Sequence, residues 1–135
     1  CVSRRVGQAF IENALVGEDL TVNGDGKEGL DFTYINDLVQ GIILSIIKSD
    51  GINQIFNITF GAARSINQLA EIVMEKFPGI KLHHKKRDGL MPERGTLSIA
   101  KAQKLLGYTP QHPVEKGFVQ LAHLEQIELA KSLLI

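Results

Sequence analysis

Apolar positions recur at helical spacing over residues 3–16, where Val6, Phe10 and Ala14 share a face with Ile11 and Leu15 beside them. That spacing predicts a helix, with Ser3 as N-cap and Gly17 as its stop. Leu20-Thr21-Val22-Asn23 predicts a short strand. A glycine-rich turn over residues 24–29 follows, then a strand over residues 30–35, rich in β-branched and aromatic side chains. Asn36 or Asp37 caps a helix from Leu38 to Lys48 that is apolar on most sides, so it is expected to be largely buried. Residues 54–60 alternate and predict a strand that Gly61 ends. Ser65 with Gln68 makes a capping box for a helix to about Phe77, stopped by Pro78-Gly79. Residues 80–85 predict a weak strand, and residues 88–95 a loop around Pro92. Ser98 is expected to cap a helix from Ile99 to Leu106, ended by Gly107. Pro113 suits the first turn of a last helix, roughly residues 114–133. Helices alternating with short strands predict an α/β chain with α+β-like character, a small sheet and flanking helices.

Composition narrows the function classes. The 135 residues suit a single domain and carry 15 Lys plus Arg against 15 Asp plus Glu. With no net charge, neither nucleic acid nor an anionic membrane is an expected partner. No apolar run reaches the roughly 18 residues that span a bilayer. The one cysteine, Cys1, allows no internal disulfide and fits a reducing, cytoplasmic setting. The start lacks both a methionine and the apolar core of a signal peptide, so a piece of a larger protein is expected.

Several stretches invite a chemical reading. Gly24, Gly26 and Gly29 match the dinucleotide fingerprint G-x-G-x-x-G, but that motif works by running from a strand through the turn directly into a helix N-terminus. Here Leu30-Asp31-Phe32-Thr33-Tyr34-Ile35 follows, so a hairpin-like turn between two strands is expected. Adjacent His83 and His84 on a strand point to opposite faces and do not share an ion, so no metal is expected. Residues 83–87 form the basic cluster, read as a solvated strand end or a rim attracting an anionic substrate. Asp31 and Asp37 are not held together by their spacing, and Asp37 reads as a helix cap, so acid/base work from them is not expected.

Four stretches in order resemble one family. Gly17 with Leu20-Thr21-Val22 and Gly24-Asp25-Gly26, then Asp31-Phe32-Thr33-Tyr34-Ile35 with Asp37-Leu38-Val39, is similar to the C-terminal half of extended short-chain dehydrogenase/reductases, the NAD-dependent epimerase/dehydratase family. Phe56-Asn57-Ile58 with Gly61, Ser65-Ile66 with Leu69-Ala70, and Ser98 to Pro110 with its Leu105-Leu106-Gly107-Tyr108 core agree with that family in order and spacing.

The resemblance implies a Rossmann-type parent protein that binds NAD or NADP mainly outside this chain and acts on a nucleotide sugar. The family's N-terminal glycine motif and its Tyr-x-x-x-Lys pair are absent: Tyr34 is followed four places on by Leu38, and Tyr108 by His112. No catalytic residue is therefore expected here. The resemblance implies that Arg94 contacts the substrate diphosphate, that Thr21 and Asn23 lie beside the base, and that Gly7 and Gln8 lie near the nucleoside. Leu30 stands where many members carry an arginine, for which Lys27, Arg4 or Arg5 could substitute. The helix at 38–48 and the strand at 54–60 are expected to complete the parent's sheet. The long last helix is read as packing or as a homo-oligomer contact. A non-catalytic nucleotide- or protein-binding module with the same fold is the alternative.

Overall fold

The computed structural model describes residues 6–87, 94–118, 120 and 123. In order, the elements are α1 (Val6–Leu15), β1 (Leu20–Asn23), β2 (Gly29–Leu30), α2 (Ile35–Ile47), a 3₁₀ turn (Ser49–Gly51), β3 (Arg64–Ser65), α3 (Ile66–Lys76), β4 (Leu82–Lys85) and α4 (Ala100–Leu106). Residues 114–118 are also helical. The chain is α/β and divides into two compact units. One lies within Cys1–Glu28, Ser65–Glu93 and Phe118–Ile135. The other comprises Gly29–Arg64 and Arg94–Gly117.

The first unit is built on a parallel pair. β1 runs beside β4 with Leu20 opposite Leu82 and Asn23 opposite Lys85. Alternation along β1 buries Leu20 and Val22 and leaves Asn23 exposed. Helices α1 and α3 pack on β1 and on each other. Their inward faces, Phe10, Ile11 and Ala14 on α1 and Leu69, Ala70 and Val73 on α3, close this core. The capping box at the start of α3 is present: Gln68 N–H donates to the Ser65 hydroxyl, and Ser65 N–H to the Gln68 side chain.

The second unit packs α2 against α4 and the 3₁₀ turn. Its core is Ile99, Ala102, Leu106 and Tyr108, with Leu44, Phe56 and Ile58 against it. Gly107 ends α4 in the left-handed region at φ 70°, as a helix-terminating glycine does. β2 and β3 form a second two-stranded sheet.

Several local expectations are corrected. Strands do flank the 24–29 turn, but β1 pairs with β4 and β2 with β3, so the turn joins two sheets and is no hairpin. Only Gly29–Leu30 of the predicted 30–35 strand is strand, and α2 begins at Ile35. Tyr34 is the N-cap of α2, so Asp37 lies inside the first turn and caps nothing. Residues 54–60 hold no strand. Their alternation lacks a neighbouring strand among the described residues, and a strand is defined by its partner. Ile99, rather than Ser98, takes the N-cap position of α4. Instead of lying buried, α2 exposes Ile35, Val39, Ile42, Ile43, Ile46 and Ile47. Ser3, Arg4, Arg5, Cys1, Pro92 and most of the predicted last helix lie outside the described residues.

Candidate functional site

The five sequence candidates divide between the units: Gly7, Gln8, Thr21 and Asn23 belong to the first, and Arg94 to the second. In the first unit, Thr21 and Asn23 stand opposite His83 and Lys85. Residues in register on parallel strands share a face, so this row is polar while Leu20 and Val22 turn inward. Gln8, in the first turn of α1, is exposed and donates to Glu12 at 2.8 Å. Gly7 is buried, and a Cβ there would stand 2.7 Å from Phe118 Cζ, so its lack of a side chain serves packing.

The loop after β1 is held by its own unit. Gly24 and Gly26 have φ of 91° and 69°, conformations that side chains resist. A Cβ on Gly26 would fall on the Asn67 amide. That amide donates to the Asp25 carbonyl at 3.0 Å and meets His84 Nε2 at 2.9 Å. His83, on the opposite face, meets Asp19 at 2.8 Å. Hydrogen bonds from His83 and the Lys81 backbone hold the Asp19 carboxyl below its ordinary range. Arg87 pairs with Glu28 at 3.6 Å. The cradle that a dinucleotide pyrophosphate needs is thus filled by Asn67, and the turn leads to β2 and not to a helix N-terminus. These residues do not fit NAD. Among the described residues, no three His, Cys, Asp or Glu side chains converge as metal ligands, and no helix is long and apolar enough to cross a membrane.

The second unit carries the denser polar framework. Arg94 is exposed and opens the segment leading to α4. Two hydrogen bonds fix that segment: Ala63 N–H donates to Thr96 Oγ1 at 2.8 Å, and Asn57 Nδ2 to the Ser98 carbonyl at 3.0 Å. Asp31 accepts the Gly61 N–H with both oxygens at 3.2 Å. Arg64 Nε donates to Glu115 Oε1 at 2.7 Å, and Nη1 to the Ala63 carbonyl at 3.3 Å. Burial raises the Glu115 carboxyl, but its own backbone N–H and the hydrogen bond and charge of Arg64 hold it below its ordinary range.

Asp37, 2% exposed, anchors the segment after α4. It accepts from the backbone N–H groups of Gln111 (3.1 Å) and His112 (2.9 Å), and from His112 Nδ1 at 2.9 Å. The His112 ring stacks on Tyr34 with centroids 4.6 Å apart. Burial raises the Asp37 carboxyl, yet these donors and the His112 charge bring it below its ordinary value. Tyr108 donates to the Thr59 carbonyl at 3.0 Å. Burial, then the charges of Asp37 and Asp31, push its hydroxyl up. Asp31 and Asp37 thus hold backbone at separate places.

Arg64, Glu115 and the Asp37–His112 clasp are not foreseen from the sequence. Their partners lie 51 and 75 residues apart, and no local spacing signals such pairs.

Comparison with known proteins places this geometry among relatives. Residues 2–59 match the model of the NAD dependent epimerase/dehydratase family. UDP-glucuronic acid decarboxylase 1 of Xenopus tropicalis is 32% identical over 128 residues, covering 93% of this chain and 30% of the relative. UDP-glucuronate 4-epimerase of Thermodesulfobacterium geofontis is 35% identical over 132 residues, covering 92% and 39%. The crystal structure of Thermotoga maritima UDP-glucose 4-epimerase with UDP-glucose superposes with a TM-score of 0.81 at 28% identity, covering 93% of this chain and 40% of that one. The chain thus spans 30–40% of the length of these relatives.

Proposed function

This chain belongs to the NAD dependent epimerase/dehydratase family, and on that premise we propose that it is the nucleotide-sugar-binding portion of an epimerase, decarboxylase or dehydratase. One observation carries the reading. Arg94 is exposed at the mouth of a segment that Ala63–Thr96 and Asn57–Ser98 hydrogen bonds hold in place. A planar guanidinium can grip phosphate oxygens at two points, and these bonds fix the backbone that carries it. The named relatives act on UDP-sugars, which supports a nucleoside diphosphate sugar as the ligand class.

Within the whole protein, NAD would supply the hydride acceptor and donor, bound mainly outside this chain; the 24–29 turn does not fit it. The work of this chain is positional. Arg94 holds the diphosphate. The sugar is thereby presented to the cofactor in one orientation. The proposed setting is a cytoplasmic enzyme.

The test is Arg94→Ala in the full-length protein. Removing a charged hydrogen-bond donor costs about 1.5–3 kcal/mol of binding, roughly a 10- to 100-fold rise in Kd for the nucleotide sugar by calorimetry. An Arg94→Ala protein with unaltered affinity overturns the assignment.

A further inference from the structure

The second unit holds another arginine that is poised to bind an anion. Arg64 lies on β3, beside β2, whose Leu30 offers no charge. The approach is close, since a Cβ on Gly29 would stand 3.2 Å from the Ala63 Cβ. The guanidinium is oriented by Glu115 Oε1 on Nε and by the Ala63 carbonyl on Nη1. These contacts engage two of its five N–H groups. Among the described residues, no acceptor takes the other three, at the Nη1–Nη2 end of the fork.

The ion pair is one-point and not bidentate, for Glu115 Oε2 is buried without a hydrogen-bond partner. A carboxylate that used both oxygens would have taken a further donor of the fork. The Arg64 side chain also keeps 30% of its exposure, so an anion can reach it.

One hydrogen bond ties the residue before Arg64 to the segment that follows Arg94. Ala63, next to Arg64, donates to Thr96, two residues after Arg94, at 2.8 Å. Apart from that bond, only three residue steps separate the two arginines, roughly 10 Å of extended chain. Each side chain is long enough to cover much of that distance, and a diphosphate presents oxygens at both of its ends.

We propose that Arg64 is a positioning residue for the substrate diphosphate, and that it and Arg94 grip it as a pair. The proposal rests on the nucleotide-sugar function and adds a residue from a different strand. Glu115 sets the angle of the Arg64 fork without consuming it.

Calorimetric titration of the full-length protein with uridine diphosphate and with uridine tests this. Arg64→Gln should weaken uridine diphosphate binding about tenfold or more while leaving uridine binding within twofold of wild type. Arg64→Lys, which keeps the charge and loses the planar fork, should fall between. A purely structural Arg64 would lower the melting temperature without separating the two ligands. Uridine diphosphate affinity within twofold of wild type in Arg64→Gln overturns the proposal. If that variant fails to fold, the proposal stands or falls on Arg64→Lys, and unchanged affinity there overturns it too. Arg94→Ala separates the two levels. Loss of affinity in Arg94→Ala but not in the Arg64 variants removes this inference and leaves the function standing. A wild-type protein that binds no uridine diphosphate removes both.

Discussion

Asp37 shows how one buried carboxylate can organise a segment distant in sequence. Its two oxygens receive three N–H donors from Gln111 and His112. Hydrogen bonds to a charged group are each worth roughly 1.5–3 kcal/mol, but they replace hydration that burial removes, so the net is far below their sum. Asp37→Asn keeps the shape and loses the charge, with an expected cost of about 1.5–3 kcal/mol at neutral pH. The pH dependence has a definite sign. The native carboxyl lies below its ordinary 3.8, so its contribution is fully present above that value and is lost as pH falls through the lower native value. Denaturant unfolding of both proteins between pH 7 and pH 3 should show the gap closing at the acid end. A gap of constant size would mean that the charge of Asp37 does not hold the clasp.

Among the elements, α2 carries the plainest conflict between local preference and packing. Gly41 interrupts it, and in an exposed helix interior Gly→Ala gains about 1 kcal/mol. Gly41 is buried, however, and a Cβ there would run into Ile58 Cγ2 and stand 3.2 Å from Tyr108 Cε2. Overpacking of that kind costs roughly 1–3 kcal/mol, so Gly41→Ala should destabilise in thermal unfolding despite its helix propensity. A raised melting temperature would show that the Ile58 contact yields. Legibility follows the range of the interaction. β1 and the α3 capping box are legible because a four-residue alternation and an i to i+3 pair settle them locally. The hairpin, the Asp37 cap and the strand at 54–60 mislead because partners from elsewhere in the chain decide them. The five proposed ligand residues come from family resemblance. Arg64 is hidden beside the capping serine, with its partner Glu115 in a helix 51 residues on.

At the scale of the molecule, the second unit exposes an apolar row. Ile35, Val39, Ile42 and Ile46 follow helical spacing along α2, and all are exposed, Ile46 to 75%. Ile52 and Ile55, beyond the helix, are exposed as well, Ile55 to 88%. Exposed apolar side chains that share a helix face are the usual mark of an interaction surface. The relatives carry more than 60% of their length outside the matched region, and we propose that α2 and residues 54–60 dock on that part of the whole protein. Two glutamates at Ile42 and Ile46 test this from both sides. In the 135-residue chain Ile46 is 75% and Ile42 48% exposed, so the expected loss of stability is within about 0.5 kcal/mol at Ile46 and about 1 kcal/mol at Ile42. Sedimentation velocity at tens of micromolar should show self-association of the wild-type chain, reduced in the double variant. In the full-length protein the same pair would bury two charges without partners and destabilise it by several kcal/mol. A full-length double variant as stable as its parent would mean that nothing covers this face.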